Sequence, residues 1–373
     1  MVNSVGIVKA KTFNSKKALK LESGKIIHSF NLIYETYGSL NKNKDNAILI
    51  PHALSGNHHI AGKYKSSDKY PGWWDNMVGP NKAIDTKKFF VIGVNNLGGN
   101  DGSTGPKTKN PLTNKIWGSK FPIVTVKDWV ASQKELIDFL GIKKLYAIVG
   151  GSLGGMQAIQ WSIDFPNMVK KVLCIAAAPN LTAQNIAFNE VARQSIITDK
   201  DFNNGDYYLT NKKPKIGLRL ARMLGHITYL SIDSMGKKFG RKLKDKKFSY
   251  SFSNDFEVES YLNYQGDKFA NEFDANTYLR MTKALDYFDL EYTHKKDLNT
   301  IFKNVTADYL VVSFSSDWRF SPHRSKEIVK ALLHNKINVS YTEIQADAGH
   351  DAFLLDNQHY HLIIKRYLNT QND

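Results

Sequence analysis

Five short, uninterrupted apolar runs limit the folds open to this chain more than any other feature. Each run is bounded by Gly, Pro, Asn or Asp, and segments with helical periodicity lie between them. The runs occupy 47–50, 89–94, 145–149, 172–178 and 309–314, and a last strand-like stretch follows at 339–344. Continuous apolar runs are typical of parallel strands buried on both faces, and the intervening helices supply the crossovers. The sequence therefore predicts an α/β fold with a mostly parallel sheet and helices on both faces.

Two regions depart from this rhythm. Residues 19–37 alternate, with Phe30, Leu32, Tyr34 and Thr36 on one face, which predicts antiparallel strands before the parallel series. Between about 181 and 300 no strand is evident, because the segments 183–197, 215–231 and 275–287 all have helical periodicity. We therefore expect a core domain formed by residues 1–180 and 301–373, with a helical lid inserted at 181–300.

Composition argues against several classes of protein. Residues 1–20 lack the apolar segment of a secretory signal, and no run approaches the roughly 20 apolar residues of a membrane span, so we expect a cytoplasmic protein without membrane contact. The net charge is +16, but the lysines are spread along the whole chain, which favours a solvated surface over nucleic-acid binding. Such a charge still suits an anionic small ligand such as an acyl-coenzyme A.

Cysteine and histidine usage excludes two further kinds of site. Cys174 is the single cysteine and lies in an apolar run, so we expect it to be buried and without a disulfide. The histidines are scattered without the spacing of metal ligands, so no metal site is expected.

A serine stands in the turn that follows the third apolar run. Ser152 occupies a Gly-x-Ser-x-Gly frame, in the stretch Val-Gly-Gly-Ser-Leu-Gly-Gly-Met at 149–156. A sharp strand-to-helix turn of this kind exposes the serine hydroxyl as a nucleophile, and small flanking residues let the backbones approach. The pattern alone also fits an ordinary glycine-rich turn. A dinucleotide fingerprint is disfavoured, because it would need glycine at position 152.

The later strands supply the partners that a serine nucleophile requires. On a doubly wound sheet these follow in the order serine, acid, histidine, each beyond the carboxyl end of a strand. Asp317 follows the run 309–314, and His350 follows 339–344. We expect His350 to take the proton of Ser152 and Asp317 to orient the imidazole. The backbone N–H groups of Leu54, in the loop after 47–50, and of Leu153 are the expected donors to an oxyanion.

With these residues placed, the chain resembles the homoserine O-acyltransferases of the α/β-hydrolase superfamily. The resemblance covers almost the whole length, and its motifs are specific only in combination. They are HALSG at 52–56, PGWWD at 71–75, NNLGG at 95–99, GSTGP at 102–106, GGSLGGMQ at 150–157, ARMLGHITY at 221–229 and GHD at 349–351.

The resemblance implies the fold, the substrates and further site residues. It implies an α/β-hydrolase core with a helical lid that also pairs the subunits of a homodimer, and Arg222, Tyr229 and Asp351 as the residues that hold homoserine. An arginine suits the carboxylate of this amino acid, and an aspartate suits its ammonium group.

The acyl group is expected to be succinyl. The stretch Trp-Arg-Phe-Ser-Pro at 318–322 and the NNLGG loop look like the succinyl-type members of the family, and Arg319 could pair with the distal carboxylate of a succinyl group. The expected reaction is a ping-pong transfer from succinyl-CoA, as co-substrate with no bound cofactor, to the hydroxyl of L-homoserine through an acyl-Ser152 intermediate in methionine biosynthesis. Transfer from acetyl-CoA, a plain serine esterase and a non-enzymatic binding scaffold remain the alternatives.

Overall fold

The computed structural model describes residues 3–210 and 212–370. Residues 1, 2, 211 and 371–373, which the expected domain division includes, lie outside the described residues. The strands are β1 (Lys11–Ser15), β2 (Leu19–Lys20), β3 (Ile26–Ile27), β4 (Phe30–Tyr37), β5 (Ala47–Pro51), β6 (Val78–Gly79), β7 (Ile84–Asp85), β8 (Phe90–Val94), β9 (Leu145–Gly151), β10 (Val169–Ile175), β11 (Asp308–Phe314) and β12 (Val339–Ile344). The α-helices are α1 (Val126–Phe139), α2 (Leu153–Asp164), α3 (Ala183–Ile197), α4 (Lys215–Tyr229), α5 (Ile232–Lys238), α6 (Glu257–Glu272), α7 (Ala275–Tyr287), α8 (Leu290–His294), α9 (Leu298–Phe302), α10 (Pro322–His334) and α11 (Gln358–Asn369).

The main sheet has the strand order β1-β4-β8-β5-β9-β10-β11-β12 within the described residues. The pairs β1·β4 and β4·β8 are antiparallel, and every pairing from β8 to β12 is parallel. The short strands β2 and β3 form a separate antiparallel pair, and β6 pairs with β7. The expected mixed, mostly parallel sheet with an antiparallel start is therefore confirmed.

Successive residues of the central strands belong to two hydrophobic clusters, one on each face of the sheet. In β5, Leu49 belongs to the cluster that includes residues of α1, α2 and α10, whereas Ile48 and Ile50 belong to the cluster that includes residues of α11 and of the segment 60–84. Side chains alternate across a strand, so a strand covered on both sides must be apolar at every position. This explains why the apolar runs in the sequence are continuous, and it confirms helices on both faces. Cys174 lies in this core, where burial raises the pKa of its thiol to about 12.

The segment between β10 and β11 consists of helices and loops over its described residues, apart from isolated bridges. A third hydrophobic cluster lies within it and includes Leu218 of α4, Phe269 of α6 and Tyr278 of α7. A separate core suits a segment that folds as its own layer over the sheet edge. The boundaries 1–180, 181–300 and 301–373 of the core and the lid stay predictions.

Several predicted elements differ from the observed ones. Strand β10 begins at Val169 and ends at Ile175, so it is shifted toward the amino terminus relative to the expected 172–178. The helix expected at 215–231 ends at Tyr229, because Leu230 is extended and the Ser231 hydroxyl accepts a hydrogen bond from Ser234 N to begin α5. The alternation expected in β4 holds for Phe30, Leu32 and Tyr34, but Thr36 is only half-buried while its neighbours Glu35 and Tyr37 are buried. The sequence analysis does not predict β1, α6 or α11.

None of the described helices is both long enough and apolar enough to cross a membrane.

Candidate active site

The turn between β9 and α2 holds Ser152 in an unusual backbone conformation. Its φ and ψ angles are 57° and −124°, a strained region for a residue with a side chain. The close approach around it requires glycine, since a Cβ at Gly150 would lie 2.1 Å from Gly154 O, and one at Gly154 would lie 2.3 Å from Pro51 O. Serine is a common N-cap, yet the Ser152 side chain makes no capping hydrogen bond to α2. The turn therefore directs this hydroxyl away from the helix.

Ser152, His350 and Asp317 form one hydrogen-bonded chain. The Oγ atom of Ser152 lies 2.8 Å from His350 Nε2, and His350 Nδ1 lies 2.7 Å from Asp317 Oδ2. Asp317 accepts two further bonds at Oδ1, from the backbone N–H groups of Arg319 (3.0 Å) and Phe320 (2.9 Å). With both Asp317 oxygens accepting, His350 Nδ1 donates its proton and leaves Nε2 as the acceptor for the serine hydroxyl. This is the arrangement in which an imidazole can act as a general base.

Packing fixes the imidazole as well as its hydrogen bonds. The ring of Phe320 stacks on His350 with centroids 4.8 Å apart, and Gly349, at φ 71°, admits the backbone of Tyr229 and Ser231. Ser152, His350 and Asp317 are 8%, 6% and 1% exposed. The structure thus brings together the three residues expected from chain order, in a site largely withdrawn from water.

The two residues whose backbone N–H groups are expected to stabilise an oxyanion are both near Ser152. Leu153 is the first residue of α2, where backbone N–H groups have no partner in the preceding turn, and Leu54 lines the same cavity as Ser152. Their role as donors stays a prediction.

A buried network of amides connects the Leu54 loop to α2. Gln157 Nε2 donates to the carbonyl oxygens of both His52 (3.2 Å) and Leu153 (3.3 Å). Gln133 donates to Gln157 Oε1 and to Asn96 Oδ1, and Asn96 N donates to His52 Nε2. These side chains are at most 1% exposed, and burial lowers the pKa of His52 to about 4, so its ring is neutral. The network joins the backbone carbonyls of His52 and Leu153 through one side chain, and the sequence analysis missed it.

A small cavity of about 60 Å³ adjoins the serine. Of the expected substrate residues, Tyr229, Asp351 and Arg319 line it together with Ser152 and His350. Burial raises the pKa of the Asp351 carboxyl above its ordinary value, although nearby cations such as Arg222 act against this. Because burial disfavours the charged form of this carboxyl, a ligand that brings a positive charge to it stabilises that charged form.

Arg319 is buried in the cavity of the serine. Its guanidinium donates to Asn185 Oδ1 (3.1 Å) and Thr228 Oγ1 (2.9 Å) and lies 5.2 Å from the Tyr229 ring centroid. No ion pair with Asp or Glu involves it among the described residues, whereas the similarly buried Arg193 is paired with Asp286 at 2.6 Å. Arg319 is 7% exposed, its hydrogen-bond partners are neutral side chains, and the Asp351 carboxyl acts on it through space, so its guanidinium is suited to an anionic ligand.

Arg222 lies in a neighbouring cavity rather than in the cavity of Ser152. This second cavity, of about 420 Å³, shares Ser55 with the first. The Arg222 guanidinium stacks on Phe269 at 4.9 Å, and its Nε atom is buried without a hydrogen-bond partner. Tyr229 follows Arg222 by seven positions on α4, or about 10 Å along the helix axis, so one helix face serves both cavities. A ligand that contacts both Arg222 and Asp351 must therefore extend from one cavity into the other.

The sequence analysis missed most residues of the second cavity, among them Asn57, Asn100, Gln265 and Lys268. Two of these are on α6, which has no clear apolar stripe to predict it. No group of three or more His, Cys, Asp or Glu residues is arranged to hold a metal ion in the part of the chain that the structure describes.

Comparisons with known proteins agree with this fold and identify the family. The sequence pattern of the α/β hydrolase fold family matches residues 46–357. A homoserine O-succinyltransferase of Nitrosospira multiformis is 57% identical over 368 residues, which cover 99% of this chain and 98% of that protein. One of Neisseria meningitidis serogroup B is 57% identical over 367 residues, covering 98% and 97%.

Solved structures with the same fold include transferases and esterases. A homoserine O-acetyltransferase from Bacillus anthracis superimposes with a TM-score of 0.91 at 29% identity, covering 98% of each chain. The esterase E22 superimposes with a TM-score of 0.89 at 31% identity, covering 97% of this chain and 100% of the esterase. The resemblance drawn from the sequence motifs is confirmed. The chain belongs to the α/β hydrolase fold family and, within it, to the family of these homoserine O-succinyltransferases.

Proposed function

We propose that the protein transfers the succinyl group of succinyl-CoA to the hydroxyl of L-homoserine, through an acyl-enzyme on Ser152. The full-length relatives at 57% identity support the reaction class. The observation that carries the choice of acyl donor is the buried guanidinium of Arg319 in the cavity of Ser152, which forms no ion pair in the part of the chain that the structure describes. We propose that the protein acts in the cytoplasm and that its reaction, with succinyl-CoA as a co-substrate, is a step of methionine biosynthesis.

In the first half-reaction Ser152 Oγ attacks the thioester carbonyl while His350 Nε2 takes the hydroxyl proton. The carbonyl oxygen becomes an oxyanion, which the N–H groups of Leu54 and Leu153 stabilise. The C–S bond then breaks, coenzyme A leaves as the thiol with the proton from His350, and the succinyl group stays on Ser152. Asp317 keeps the His350 ring in the tautomer that this transfer needs and stabilises its cation.

In the second half-reaction the homoserine hydroxyl replaces coenzyme A. His350 takes its proton, the hydroxyl oxygen attacks the acyl-serine carbonyl, and the bond to Ser152 Oγ breaks as His350 returns the proton. Arg222 is assigned to the homoserine carboxylate and Asp351 to its ammonium group. The unpaired Arg222 Nε and the desolvated Asp351 carboxyl both support this placement.

The distal carboxylate of the succinyl group is assigned to Arg319. An acetyl group would bring no negative charge to the same buried guanidinium, so it would not offset the cost of burying that charge. The acyl donor is therefore selected by the Arg319 cation, which pairs with the distal carboxylate of a dicarboxylic acyl group.

Transfer must outcompete hydrolysis of the acyl-enzyme. The site is almost wholly buried, and the helices between β10 and β11 contribute Tyr229 and Leu285 to its walls. We assign these helices the role of a lid that excludes water. The esterase of closely similar structure makes hydrolysis the second candidate, and it is the dependence on homoserine that distinguishes the two.

The proposal includes a homodimer formed through α4. Ile216, Leu220 and Ile227 are 58%, 46% and 48% exposed and follow one another along one side of this helix. An exposed apolar stripe of this kind is typical of a surface that another subunit covers. In sedimentation experiments the native chain should be a dimer, and the Leu220→Lys variant should be a monomer.

The function is tested by mixing the native chain with succinyl-CoA or acetyl-CoA and following thiol release with and without homoserine. We expect release with succinyl-CoA, accelerated by homoserine, and an O-succinylated amino acid as product. A preference for acetyl-CoA would contradict the choice of donor. Release unaffected by homoserine would favour a hydrolase, and unchanged turnover in Ser152→Ala would remove the serine from the mechanism and reopen a binding scaffold of the same fold.

A further inference from the structure

The turn between α4 and α5 contacts both of the loops that follow β11 and β12. Trp318, in the first loop, donates from Nε1 to the carbonyl oxygen of Leu230 (3.4 Å). Asp347, in the second loop, accepts at its backbone carbonyl from the hydroxyl of Ser231. Two successive residues of the helical segment between β10 and β11 are therefore bonded to these two loops.

The turn approaches the loop of His350 so closely that the loop needs a glycine there. A Cβ at Gly349 would lie 2.4 Å from Tyr229 O and 2.7 Å from Ser231 N. Gly349 directly precedes His350 and begins the short 3-10 helix Gly349–Leu354. The turn is thus in direct contact with the backbone that carries the imidazole.

The hydroxyl of Ser231 makes two hydrogen bonds, and Ser231 is only 5% exposed. It accepts from Ser234 N (3.0 Å), which caps the start of α5, and it donates to Asp347 O. A cap needs only an acceptor, so it makes no use of the hydroxyl proton. The donated bond is a separate contact, and it ends three positions before His350 in the chain.

The loops that carry Asp317 and His350 are also bonded to each other. Gly349 N donates to Ser316 Oγ (2.9 Å), and Ser315 Oγ both donates to Ala346 O and accepts from Ala346 N, at 3.1 Å each. The contacts of Leu230 and Ser231 attach the helical segment to this pair of loops.

We propose that Ser231 is a positioning residue, whose hydroxyl holds the loop of His350 so that Nε2 stays within hydrogen-bond distance of Ser152 Oγ. The inference rests on the proposed roles of Ser152 and His350 and does not depend on the identity of the acyl donor. Displacement of a catalytic group by about 1 Å can lower a rate about 100-fold, so a single buried bond to this loop can affect the reaction. Tyr229, in the same turn, lines the cavity of Ser152, so this wall of the cavity and the imidazole are held together.

The experiment separates the donated bond from the cap. Ser231→Gly removes the hydroxyl, and glycine is tolerated as an N-cap, so α5 should be retained. Ser231→Thr keeps the hydroxyl. Each variant is mixed with p-nitrophenyl acetate, an activated ester that acylates Ser152 with the help of His350 and carries neither a succinyl group nor an amino acid. The burst of nitrophenolate reports the rate of acylation, and its amplitude counts the working serines.

Ser231→Gly should lower the burst rate about 10-fold and leave the amplitude at one per chain. With succinyl-CoA and homoserine it should lower kcat by a similar factor while KM for homoserine stays the same. Ser231→Thr should restore a rate close to that of the native chain. Thermal unfolding of each variant checks that the fold is retained.

The matched control is Asp297→Gly, which removes the N-cap of α9. Asp297 is exposed, accepts from Thr300 N (3.0 Å) and lies ahead of the amino end of β11, so it is at the sheet edge opposite Ser152. Its burst rate and amplitude should match those of the native chain.

A native burst rate in Ser231→Gly would overturn the positioning role. So would a reduced amplitude at the native rate, which would mean that Ser231 serves folding alone, or an equal loss of rate in Ser231→Thr. A native chain that gives the burst but does not transfer from succinyl-CoA would instead refute the proposed function and leave the role of Ser231 standing, so the two failures are distinguishable.

Discussion

Replacing Arg319 by leucine should change the preference between acyl donors. The guanidinium is the buried positive group beside Ser152 that has no acidic partner among the described residues. Leucine fills part of the same volume without charge, so it removes the partner of the succinyl carboxylate. It does not touch the hydrogen bonds among Ser152, His350 and Asp317 that carry the chemistry.

The size of the effect follows from the interaction that is lost. A hydrogen bond to a charged group contributes about 1.5–3 kcal/mol. One factor of ten corresponds to about 1.4 kcal/mol, so kcat/KM for succinyl-CoA should fall about 10- to 150-fold. Acetyl-CoA has no carboxylate to lose a partner, and its kcat/KM should stay constant or rise.

Leucine also leaves Asn185 Oδ1 and Thr228 Oγ1 without the donors that Arg319 supplies. Each unpaired buried group can cost about 1–3 kcal/mol of stability. A second variant, Arg319→Gln, keeps a donor for one of them and still lacks the charge. Both should show the same change in donor preference, although the glutamine variant should unfold at a higher temperature.

The assay is steady-state thiol release with each donor at saturating homoserine. Arg324→Leu serves as the control, since Arg324 pairs with Glu327 on α10 and does not line the cavity of Ser152. Equal losses with succinyl-CoA and acetyl-CoA in both Arg319 variants would refute the selection mechanism. So would a native chain in which the two donors react at the same rate.

Three further changes test the rest of the site. Asp317→Asn should lower kcat with either donor by about 10⁴-fold, because His350 loses the partner that fixes its tautomer, and unchanged kcat would contradict that role. The raised pKa of Asp351 means that its carboxyl regains a proton at a higher pH than an ordinary aspartate, so kcat/KM for homoserine should fall as the pH is lowered through that pKa. Asp351→Asn should weaken homoserine binding and remove this dependence on pH. The pH profile of kcat/KM for succinyl-CoA should stay the same in this variant. Gln157→Leu should lower kcat by up to about 10²-fold with little change in KM, because it releases the Leu54 loop from α2. Gln160→Leu, on the same helix, removes a hydrogen bond to Asp164 and should leave kcat unchanged. Equal effects of the two changes would mean that Gln157 serves stability alone.

The strands of the core could be predicted because burial on both faces leaves little choice of residue. Ile48, Leu49 and Ile50 are each fully buried, on alternating faces, so the sequence must be apolar throughout β5. Strand β1 escaped prediction for the opposite reason. It lies at the sheet edge, and only Phe13 and Ser15 of its residues are buried, which is too few to produce a periodic pattern.

Helix α6 shows where sequence patterns fail in the lid. Its buried residues are only Gly266, Phe269 and Ala270, so no apolar stripe marks it. Gly266 instead lets α6 approach α4 closely, since a Cβ there would lie 2.6 Å from Arg219 Cγ. A helix held by such close packing cannot be recognised without its neighbour, and the lysine and glutamine that it contributes to the large cavity were missed with it.

The candidate catalytic residues were predictable because chain order on a parallel sheet determines where they meet. Ser152, Asp317 and His350 each follow a strand, and the carboxyl ends of parallel strands share one edge. The amide network was not predictable, because Gln133 and Gln157 are ordinary helix residues until the packing of α1 against α2 buries them together. The separation of Arg222 from Tyr229 into two cavities also depends on how α4 crosses the site.

The central claim is that Ser152 carries the succinyl group between the two substrates. It is tested most directly by measuring the intact mass of the native protein after mixing with succinyl-CoA alone, and again after homoserine is added. We predict one succinyl group per chain, located on the peptide that contains Ser152, absent from Ser152→Ala and discharged to homoserine faster than to water. Turnover without such an intermediate, or a succinyl group that forms equally in Ser152→Ala, would contradict the claim.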